Sequence, residues 1–288
     1  MKNYLNLMRV SQWVKNGFVF VPIVFSGNLL NLELLFLTFL TFLIFSFTSS
    51  SIYVLNDFMD VESDKNHPQK KYRPIASGKV SKIEALFLMV ILVVISSLLL
   101  LLFANLETAT VILIYFLINV AYSFGAKHIA ILDVSIISFG FLLRVFAGGF
   151  MTGILISNWT VLLTFTLALV LAFGKRRGEL INMQEKGKTR RALDGYNLEF
   201  LNTALVISSV MTIICYVMYT MAPETQLNMH HHIFYSFIFV IVGVLRYLQQ
   251  TFVYNKTESP TKMIFKDLFL QITLLLWGVS FILLIYFK

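Results

Sequence analysis

The chain has 288 residues, of which 58% are hydrophobic and only 13% are charged, and its formal net charge at pH 7 is +8. A soluble domain of this length has no interior large enough for so much apolar surface, so the composition excludes a soluble globular protein and predicts a polytopic membrane protein. Its single cysteine, Cys215, excludes an internal disulfide bond. The polar N-terminus leads into no small-residue cleavage site, so no cleavable signal peptide is expected.

Apolar stretches recur along the whole chain, and a helix needs about 20 residues to cross a bilayer. Nine stretches are predicted transmembrane helices: 17–30, 33–55, 83–104, 108–124, 130–151, 158–174, 200–221, 232–250 and 267–287. Pro22 and Gly27 interrupt the first, which is the weakest of the nine. We therefore expect an all-α membrane protein with a single transmembrane domain over residues 1–288.

Positive charge marks one side of the predicted membrane. Most of the 23 Lys and Arg residues fall at the N-terminus or in the loops after spans two, four, six and eight. Cytoplasmic loops carry the excess of Lys and Arg, so the N-terminus should be cytoplasmic and, with nine spans, the C-terminus outside the cell membrane. This positive face favours phosphates or anionic lipid headgroups as partners, not nucleic acid.

The first polar segment in chain order, MRVSQWVKN, places Lys15 and Asn16 just before the first predicted span. Trp and Lys often flank spans as interfacial anchors, with Lys bound to lipid phosphate. Two interpretations therefore stand for Lys15 and Asn16: they form a membrane anchor, or they bind substrate.

The richest polar segment, NDFMDVESDKNHPQKKYRPIASG, covers residues 56–78 after the second span. On a helical wheel that advances about 100° per residue, the side chains of one amide and three carboxylates fall on one face. They belong to Asn56, Asp57, Asp60 and Asp64. Carboxylates crowded at the end of a span are desolvated and repel one another, and a divalent cation removes both costs. All four are therefore predicted Mg²⁺ ligands, since Mg²⁺ usually binds carboxylates together with substrate phosphates.

The cations that follow this acidic face, Lys70 and Arg73, are predicted to hold the phosphate oxygens that the metal leaves free. The alternative is a solvated loop whose charges only keep the chain soluble and oriented. We favour the first interpretation, which predicts a binding site for a diphosphate substrate.

The loop after span four, YSFGAKHIAILD, contains Tyr122, Lys127 and Asp133. A lone Lys in a short inner loop is often only a marker of orientation. Combined with the acidic segment, these side chains are expected to add a hydroxyl group, a cation and a further carboxylate to the same site.

Arg144 lies eleven residues after Asp133, on nearly the same helix face and about 16 Å deeper in the membrane. A charge at that depth is costly, so Arg144 should face a polar cavity or an anionic ligand, or else bind backbone carbonyls and water. The long basic loop after span six is interpreted mainly as headgroup-binding surface, with Lys175, Arg176 and Arg177 nearest to the membrane.

With these residues in view, the chain resembles the UbiA-type membrane prenyltransferase superfamily. NDFMDVESD matches the NDxxDxxxD motif in full, and YSFGAKH matches the second conserved region in part. The resemblance implies a nine-helix bundle around a central cavity that opens to the cytoplasm. The second motif of the superfamily usually contains a DxxxD pair, whereas here Ile137 follows Asp133. That difference disfavours ordinary prenyl transfer.

The similarity is closest to one branch, the decaprenyl-phosphate phosphoribosyltransferases. It is carried in order by SQWVKN, residues 56–78, YSFGAKHIAILD, FLLRVFAGG and FGKRRGEL. The resemblance implies Mg²⁺-dependent transfer of a 5-phosphoribosyl group from 5-phosphoribosyl 1-diphosphate to a polyprenyl phosphate. The products would be diphosphate and polyprenyl-phosphoryl-5-phosphoribose, a precursor for cell-envelope glycans.

In this hypothesis the catalytic carboxylates are those of Asp57, Asp60, Asp64 and Asp133. The alternative function is prenyl transfer from an isoprenyl diphosphate to an aromatic or quinone-precursor acceptor. The sequence leaves open whether the chain forms homo-oligomers.

Overall fold

The computed structural model describes residues 2–66, 69–186, 191–228, 231–255 and 260–286. His67 and Pro68 of the acidic and basic segment, and the C-terminal Lys288, lie outside the described residues. The described part of the chain is almost entirely helical and contains no β-strand.

Its α-helices are α1 (Lys2–Leu7), α2 (Val21–Phe25), α3 (Leu32–Met59), α4 (Val61–Lys65), α5 (Lys82–Phe103), α6 (Leu106–Phe124), α7 (Leu132–Thr152), α8 (Asn158–Lys186), α9 (Leu198–Met221), α10 (Pro223–Asn228), α11 (Phe237–Phe252), α12 (Pro260–Lys266) and α13 (Leu268–Tyr286). Short 3₁₀ helices lie between them at Val10–Phe20, Lys70–Tyr72, Ala126–His128, Arg191–Gly195 and His231–Ser236.

Eight helical segments of the described chain are long and apolar enough to cross a membrane. They coincide with the last eight predicted spans and confirm an all-α, multi-pass membrane protein. The first predicted span, 17–30, instead contains the end of the 3₁₀ helix Val10–Phe20, the short helix α2 and a turn. Pro22 lies in the first turn of α2, and Gly27 has a φ of 75° after it. A ninth crossing therefore stays a prediction.

Side-chain caps set the starts of several long helices. The side chains of Asn31, Asn105 and Asn197 accept hydrogen bonds from backbone N–H groups in the first turns of α3, α6 and α9. Ser81 and Glu84 form a reciprocal capping box at the start of α5. These caps satisfy donors that a helix N-terminus would otherwise leave unpaired.

The chain divides into two compact units. The first contains residues 1–127 and 143–155, and the second contains residues 128–142 and 156–288. Helix α7 therefore contributes its first half to the second unit and its second half to the first. The single domain expected over residues 1–288 remains a prediction.

In the first unit, α3 packs against α5, α6 and the 3₁₀ helix Val10–Phe20. One apolar cluster of this unit joins Leu7, Val54, Ile75, Val80 and Leu92, all of which are buried. Residues from α1, α3, α5 and the loop after α4 thus share a core beside the acidic segment.

In the second unit, α8 packs against α9, and α11 packs against α13. Its core includes Val134, Val170, Leu205 and Tyr247. Asp267 accepts a hydrogen bond from Arg246 Nη2 at 2.7 Å, which ties α11 to the start of α13.

Candidate active site

The acidic segment is divided by a break in the helix. Asn56 and Asp57 lie in the last turn of α3, while Asp64 lies in α4. Asp60 stands between the two helices with φ −90° and ψ 6°. The continuous helix of the sequence prediction is therefore interrupted, and the four side chains separate into two pairs.

The first pair, Asn56 and Asp60, surrounds the ammonium group of Lys127. Lys127 Nζ lies 2.7 and 2.9 Å from the two carboxylate oxygens of Asp60. It also lies 3.4 Å from Asn56 Oδ1. The short 3₁₀ helix Ala126–His128 presents Lys127, which is buried. The predicted association of Lys127 with the acidic segment is therefore present in the structure.

The second pair, Asp57 and Asp64, surrounds a guanidinium group. Arg73 Nη1 donates to Asp57 Oδ1 at 3.0 Å and to Asp64 Oδ2 at 2.7 Å. Asp57 also accepts a hydrogen bond from Arg9. Both carboxylates are buried, so these ion pairs compensate charges that would be expensive to leave alone.

The loop RPIASGKV folds back on itself and thereby positions Arg73. Ile75 and Val80 are buried in the apolar cluster, and the N–H of Val80 donates to the carbonyl of Pro74 at 3.0 Å. Gly78 takes a φ of 73°, which glycine adopts without a steric cost. The apolar anchors and the tight turn hold Arg73 against the acidic pair.

Arg9 is a site residue that the sequence interpretation missed. Its backbone is left-handed, with φ 51° and ψ 48°, at the junction of α1 and the next 3₁₀ helix. A non-glycine residue rarely adopts this conformation. Its guanidinium group lies 4.9 Å from the centre of the Tyr53 ring. The sequence feature that could have identified Arg9 is its position in the segment MRVSQWVKN, six residues before the predicted site residue Lys15.

The chemistry of the donors fits a divalent cation. Within the described chain, no three His, Cys, Asp or Glu side chains form a group that could hold a metal ion. Nevertheless, oxygens of Asn56 and Asp60 converge on the ammonium group of Lys127. Oxygens of Asp57 and Asp64 likewise converge on the guanidinium group of Arg73. These are the hard oxygen donors that Mg²⁺ prefers.

A second polar group in the same unit centres on Asn16. Its side-chain oxygen accepts from Arg144 Nε at 2.8 Å, and its amide nitrogen donates to Ser46 Oγ at 3.0 Å and Ser49 Oγ at 3.2 Å. Arg144 also donates to the hydroxyl group of Tyr115 at 3.1 Å. The predicted residues Asn16 and Arg144 are thus in direct contact.

Lys15 lies beside this group. Its ammonium is within electrostatic range of Arg144 and Arg9, and no hydrogen bond or ion pair of Lys15 is found among the described residues. The pKa of Lys15 is lowered to about 8, mainly because burial disfavours the charged ammonium and also because Arg144 and Arg9 repel it. Such an ammonium is suited to an anionic ligand.

Asp133 belongs to a buried network in the second unit. Its carboxylate accepts from Arg176 Nε at 2.5 Å and from the Tyr196 hydroxyl at 2.7 Å. The same hydroxyl accepts from the Ile131 N–H at 2.6 Å. The pKa of Tyr196 is raised, mainly by burial of its hydroxyl group and also by its hydrogen bond to Asp133. Here Asp133 fixes neighbouring chain segments, and Ile137 packs against the apolar core.

The other predicted cations and the predicted hydroxyl group lie at different places in the structure. Lys70 begins the 3₁₀ helix Lys70–Tyr72, and Tyr122 lies half-buried near the end of α6. Arg177 is buried and donates to Asn202, the carbonyl of Thr251 and Asn255. Arg176 and Arg177 therefore connect helices of the second unit.

Comparison with known proteins agrees with this geometry. The UbiA prenyltransferase family profile matches residues 18–273. The decaprenyl-phosphate phosphoribosyltransferase of Mycolicibacterium smegmatis is 32% identical over 286 residues, which cover 95% of this chain and 89% of that protein. A protein of the same name from Corynebacterium glutamicum is 29% identical over 289 residues, covering 98% of this chain and 86% of the relative.

Solved structures share the fold. A UbiA homologue from Archaeoglobus fulgidus bound to GPP and Mg²⁺ superimposes with a TM-score of 0.69 at 19% identity, covering 97% of this chain and 99% of that one. A digeranylgeranylglyceryl phosphate synthase gives a TM-score of 0.64 at 18% identity, covering 100% and 99%. The chain therefore belongs to the UbiA prenyltransferase family and is a multi-pass membrane transferase.

Proposed function

We propose that this chain transfers a 5-phosphoribosyl group from 5-phosphoribosyl 1-diphosphate to a polyprenyl phosphate. The proposal draws on the curated relatives, which bear the name of this activity and match nearly the full chain. It also draws on the full match of residues 56–64 to the acidic motif. The product would be a polyprenyl-phosphoryl-5-phosphoribose for cell-envelope glycan synthesis.

The observation that carries the proposal is the balance of charge among the acidic motif and five cations that lie beside it or beside Asn16 in the first unit. The three carboxylates of Asp57, Asp60 and Asp64 are outnumbered by the positively charged side chains. The cations are Arg9, Lys15, Arg73, Lys127 and Arg144. Five positive charges against three negative charges favour ligands that bring their own negative charge. Both proposed substrates do so, since each carries phosphate groups.

Mg²⁺ would be held by oxygens of Asn56, Asp57, Asp60 and Asp64, and bound there it would neutralise and polarise the donor diphosphate. Arg73 and Lys127, which contact these same carboxylates, would donate hydrogen bonds to the diphosphate oxygens. Charge-assisted donors of this kind stabilise the negative charge that develops on a departing group.

In the reaction, an oxygen of the acceptor phosphate forms a bond to C1 of the ribose. The bond from C1 to the diphosphate oxygen breaks, and the diphosphate leaves with the electron pair. The acceptor is already an anion, so no side chain has to remove a proton from it. The protein must align it on the opposite face of C1, which would invert the anomeric configuration.

The location of the reaction forms part of the proposal. The N-terminus and the acidic segment would face the cytoplasm, as the distribution of Lys and Arg indicates. A central cavity would admit the soluble donor, and an apolar groove between helices would admit the polyprenyl chain from the bilayer.

A donor-exchange assay tests the function. Purified protein in detergent with Mg²⁺ receives radiolabelled 5-phosphoribosyl 1-diphosphate and a polyprenyl phosphate in one reaction. A parallel reaction contains labelled isoprenyl diphosphate and a panel of aromatic acceptors. We expect label to enter the lipid phase from the sugar donor only, and EDTA to abolish the transfer. Transfer only from the isoprenyl donor would refute the proposal and support prenyl transfer.

A further inference from the structure

The side chain of Arg9 is held in place by one face of α3. Ser50, Tyr53 and Asp57 are spaced by three and four residues along this helix, so their side chains point to the same side of it. Each of the three contacts the chain segment that contains Arg9. We call this group the Arg9 clasp, and its members are Arg9, Trp13, Ser50, Tyr53 and Asp57.

Ser50 closes the turn that contains Arg9. Its side chain is fully buried, and its hydroxyl group donates to the carbonyl of Met8 at 2.9 Å. The same hydroxyl group accepts from the indole N–H of Trp13 at 3.0 Å. Because Met8 and Trp13 lie on either side of Arg9 in the sequence, one hydroxyl group fastens both ends of the turn to α3.

The backbone of Arg9 needs this support. Its φ of 51° and ψ of 48° are left-handed, a conformation that a residue with a side chain rarely adopts and that the surrounding structure has to hold. A relaxed turn would rotate the Cα–Cβ bond of Arg9 and carry its guanidinium group away from α3. The two hydrogen bonds of Ser50 therefore help to direct the side chain of Arg9 toward the acidic motif.

The guanidinium group of Arg9 lies against both a ring and a carboxylate. Its Cζ is 4.9 Å from the centre of the Tyr53 ring, and its Nη2 donates to Asp57 Oδ1. Stacking on an aromatic face attracts the cation and leaves the N–H groups at its edge free to donate. Tyr53 thus restrains Arg9 in the orientation in which it binds Asp57.

The two carboxylate oxygens of Asp57 have different environments. Arg9 and Arg73 both donate to Oδ1, whereas no hydrogen bond from the described residues reaches Oδ2. Two donors on one oxygen restrict rotation of the carboxylate. Oδ2 is therefore the oxygen of Asp57 that remains for a metal-bound ligand.

We infer that Arg9, Ser50 and Tyr53 are positioning residues, which fix the carboxylate of Asp57 for binding of Mg²⁺–diphosphate. The inference rests on the proposed function and assigns the N-terminal segment a part in it. Ser50 and Tyr53 act on Arg9, and Arg9 acts on Asp57. Ser50 lies seven residues before Asp57 on α3, so its effect on the acidic motif passes through Arg9.

Isothermal titration calorimetry of the purified chain with Mg²⁺–diphosphate measures this binding without turnover. We expect Arg9→Gln to weaken the affinity by about tenfold or more, and Ser50→Ala by about threefold to tenfold, as the loss of charged and neutral hydrogen bonds predicts. Ser51→Ala is the matched control and should change the affinity less than twofold. Ser51 is also fully buried, but its hydroxyl group donates within α3, to the carbonyl of Thr48 at 2.8 Å.

A double-mutant cycle separates positioning through Arg9 from a general structural role. Adding Ser50→Ala to Arg9→Gln should weaken the affinity less than twofold further, because the side chain that Ser50 positions is already absent. Tyr53→Leu, which removes the ring, should show the same dependence on Arg9. Effects that multiply in the double variants would overturn the inference. A wild-type affinity in Ser50→Ala would also overturn it.

Trp13→Phe tests the same turn from its other end and replaces Ser50→Ala if that variant does not fold. The phenylalanine ring keeps an aromatic side chain beside Phe42 and Phe47 but cannot donate to Ser50. The affinity should fall about twofold to fivefold, and no further loss should follow in the Arg9→Gln background. A wild-type affinity in Trp13→Phe would then overturn the inference.

The calorimetry also separates this inference from the proposed function. If the predicted pattern appears but the chain transfers no phosphoribosyl group, the proposed function fails and the clasp stands. If phosphoribosyl transfer is observed and the affinities of the variants equal that of the wild type, only the clasp fails. A wild-type chain that binds no Mg²⁺–diphosphate would overturn the inference as well.

Discussion

Asp60 has a different environment from the other two carboxylates of the acidic motif. Its side chain is 27% exposed, whereas those of Asp57 and Asp64 are 2% and 3% exposed. The break between α3 and α4 turns Asp60 toward Lys127. Asp60 is therefore the motif carboxylate most accessible to a charged ligand from solution, while Asp57 and Asp64 both bind Arg73 and Asp57 also binds Arg9.

The first prediction concerns this exposed carboxylate. Asp60→Asn removes its charge with little change in volume, and we expect kcat for phosphoribosyl transfer to fall about 100-fold or more, as for loss of one electrostatic stabiliser. Glu62→Gln is the matched control, since Glu62 lies two residues away with a side chain that is 77% exposed. Initial rates and their Mg²⁺ dependence measure the effect. Full activity in Asp60→Asn would exclude Asp60 from the site.

The second prediction concerns the pH dependence of phosphate binding. Burial and the neighbouring Arg144 and Arg9 lower the pKa of Lys15 to about 8, so Lys15 loses its charge as the pH rises through 8. A phosphate monoester is already a dianion above pH 7, because its second pKa is about 6. The Kd for ribose 5-phosphate should therefore rise roughly tenfold between pH 7 and 9.

Lys15→Arg supplies the control for this titration, because arginine stays protonated over the whole range. Its Kd should change little between pH 7 and 9. A parallel pH dependence in wild type and Lys15→Arg would show that another group titrates.

The sequence predicted most members of the candidate site, because charged side chains are rare in so apolar a chain. It predicted neither their pairing nor the break at Asp60, since a helical wheel assumes a continuous helix. Arg9 and Tyr115 were missed for different reasons. Arg9 depends on a left-handed turn, and Tyr115 lies in an apolar helix where its contact with Arg144 requires the tertiary fold.

At the scale of helices, one close approach holds the segments of Asn16 and Arg144 together. A Cβ atom on Gly148 would lie 2.0 Å from the carbonyl oxygen of Val19. Gly148 follows Arg144 by four residues on α7, and Val19 follows Asn16 by three residues in the 3₁₀ helix Val10–Phe20. The absence of a side chain at Gly148 therefore allows the backbone contact that places Arg144 beside Asn16.

The third prediction tests this contact with Gly148→Ala. A methyl group 2.0 Å from a backbone carbonyl cannot be accommodated without separating the two segments, so the Tm in detergent should fall by several degrees. Gly278→Ala is the control, because that glycine lies within α13 and a Cβ there meets nothing within 4 Å. Alanine favours a helix interior, so the control should keep or raise its Tm. Equal Tm values for the two variants would contradict the close packing.

Hydropathy predicted eight of the long helices well, because the roughly 20 residues of a helix that cross a membrane must be predominantly apolar. The first predicted span differs from the others. Hydropathy predicts a helix over 17–30, but the α-helix there begins next to Pro22 and ends before Gly27. Hydropathy does not locate the helix starts, which are set by cap residues such as Asn31 and Ser81. The division into two units could not be predicted, since it depends on long-range contacts between helices.

At the scale of the whole molecule, the distribution of Lys and Arg predicts the membrane orientation. The fourth prediction places the N-terminus in the cytoplasm and, with nine spans, the C-terminus outside. A fluorescent protein fused to the C-terminus should be dark, and alkaline phosphatase fused there should be active. A fluorescent C-terminus with a cytoplasmic N-terminus would instead indicate eight crossings.

Impermeant thiol labelling checks the N-terminal side of the same prediction. Lys2 is replaced with cysteine, and Cys215, which is buried, is replaced with serine. Labelling should occur only after the membrane is opened. Labelling of intact cells at residue 2 would reverse the proposed orientation.

The most direct test of the proposed phosphoribosyl transfer is mass spectrometry of the lipid product from a competition between donors. The purified chain, with Mg²⁺ and a polyprenyl phosphate, receives equal concentrations of 5-phosphoribosyl 1-diphosphate and an isoprenyl diphosphate, together with an aromatic acceptor. We predict that the polyprenyl phosphate gains the mass of one phosphoribosyl group and that the aromatic acceptor is unchanged. A prenylated aromatic product with unmodified polyprenyl phosphate would contradict the proposed function.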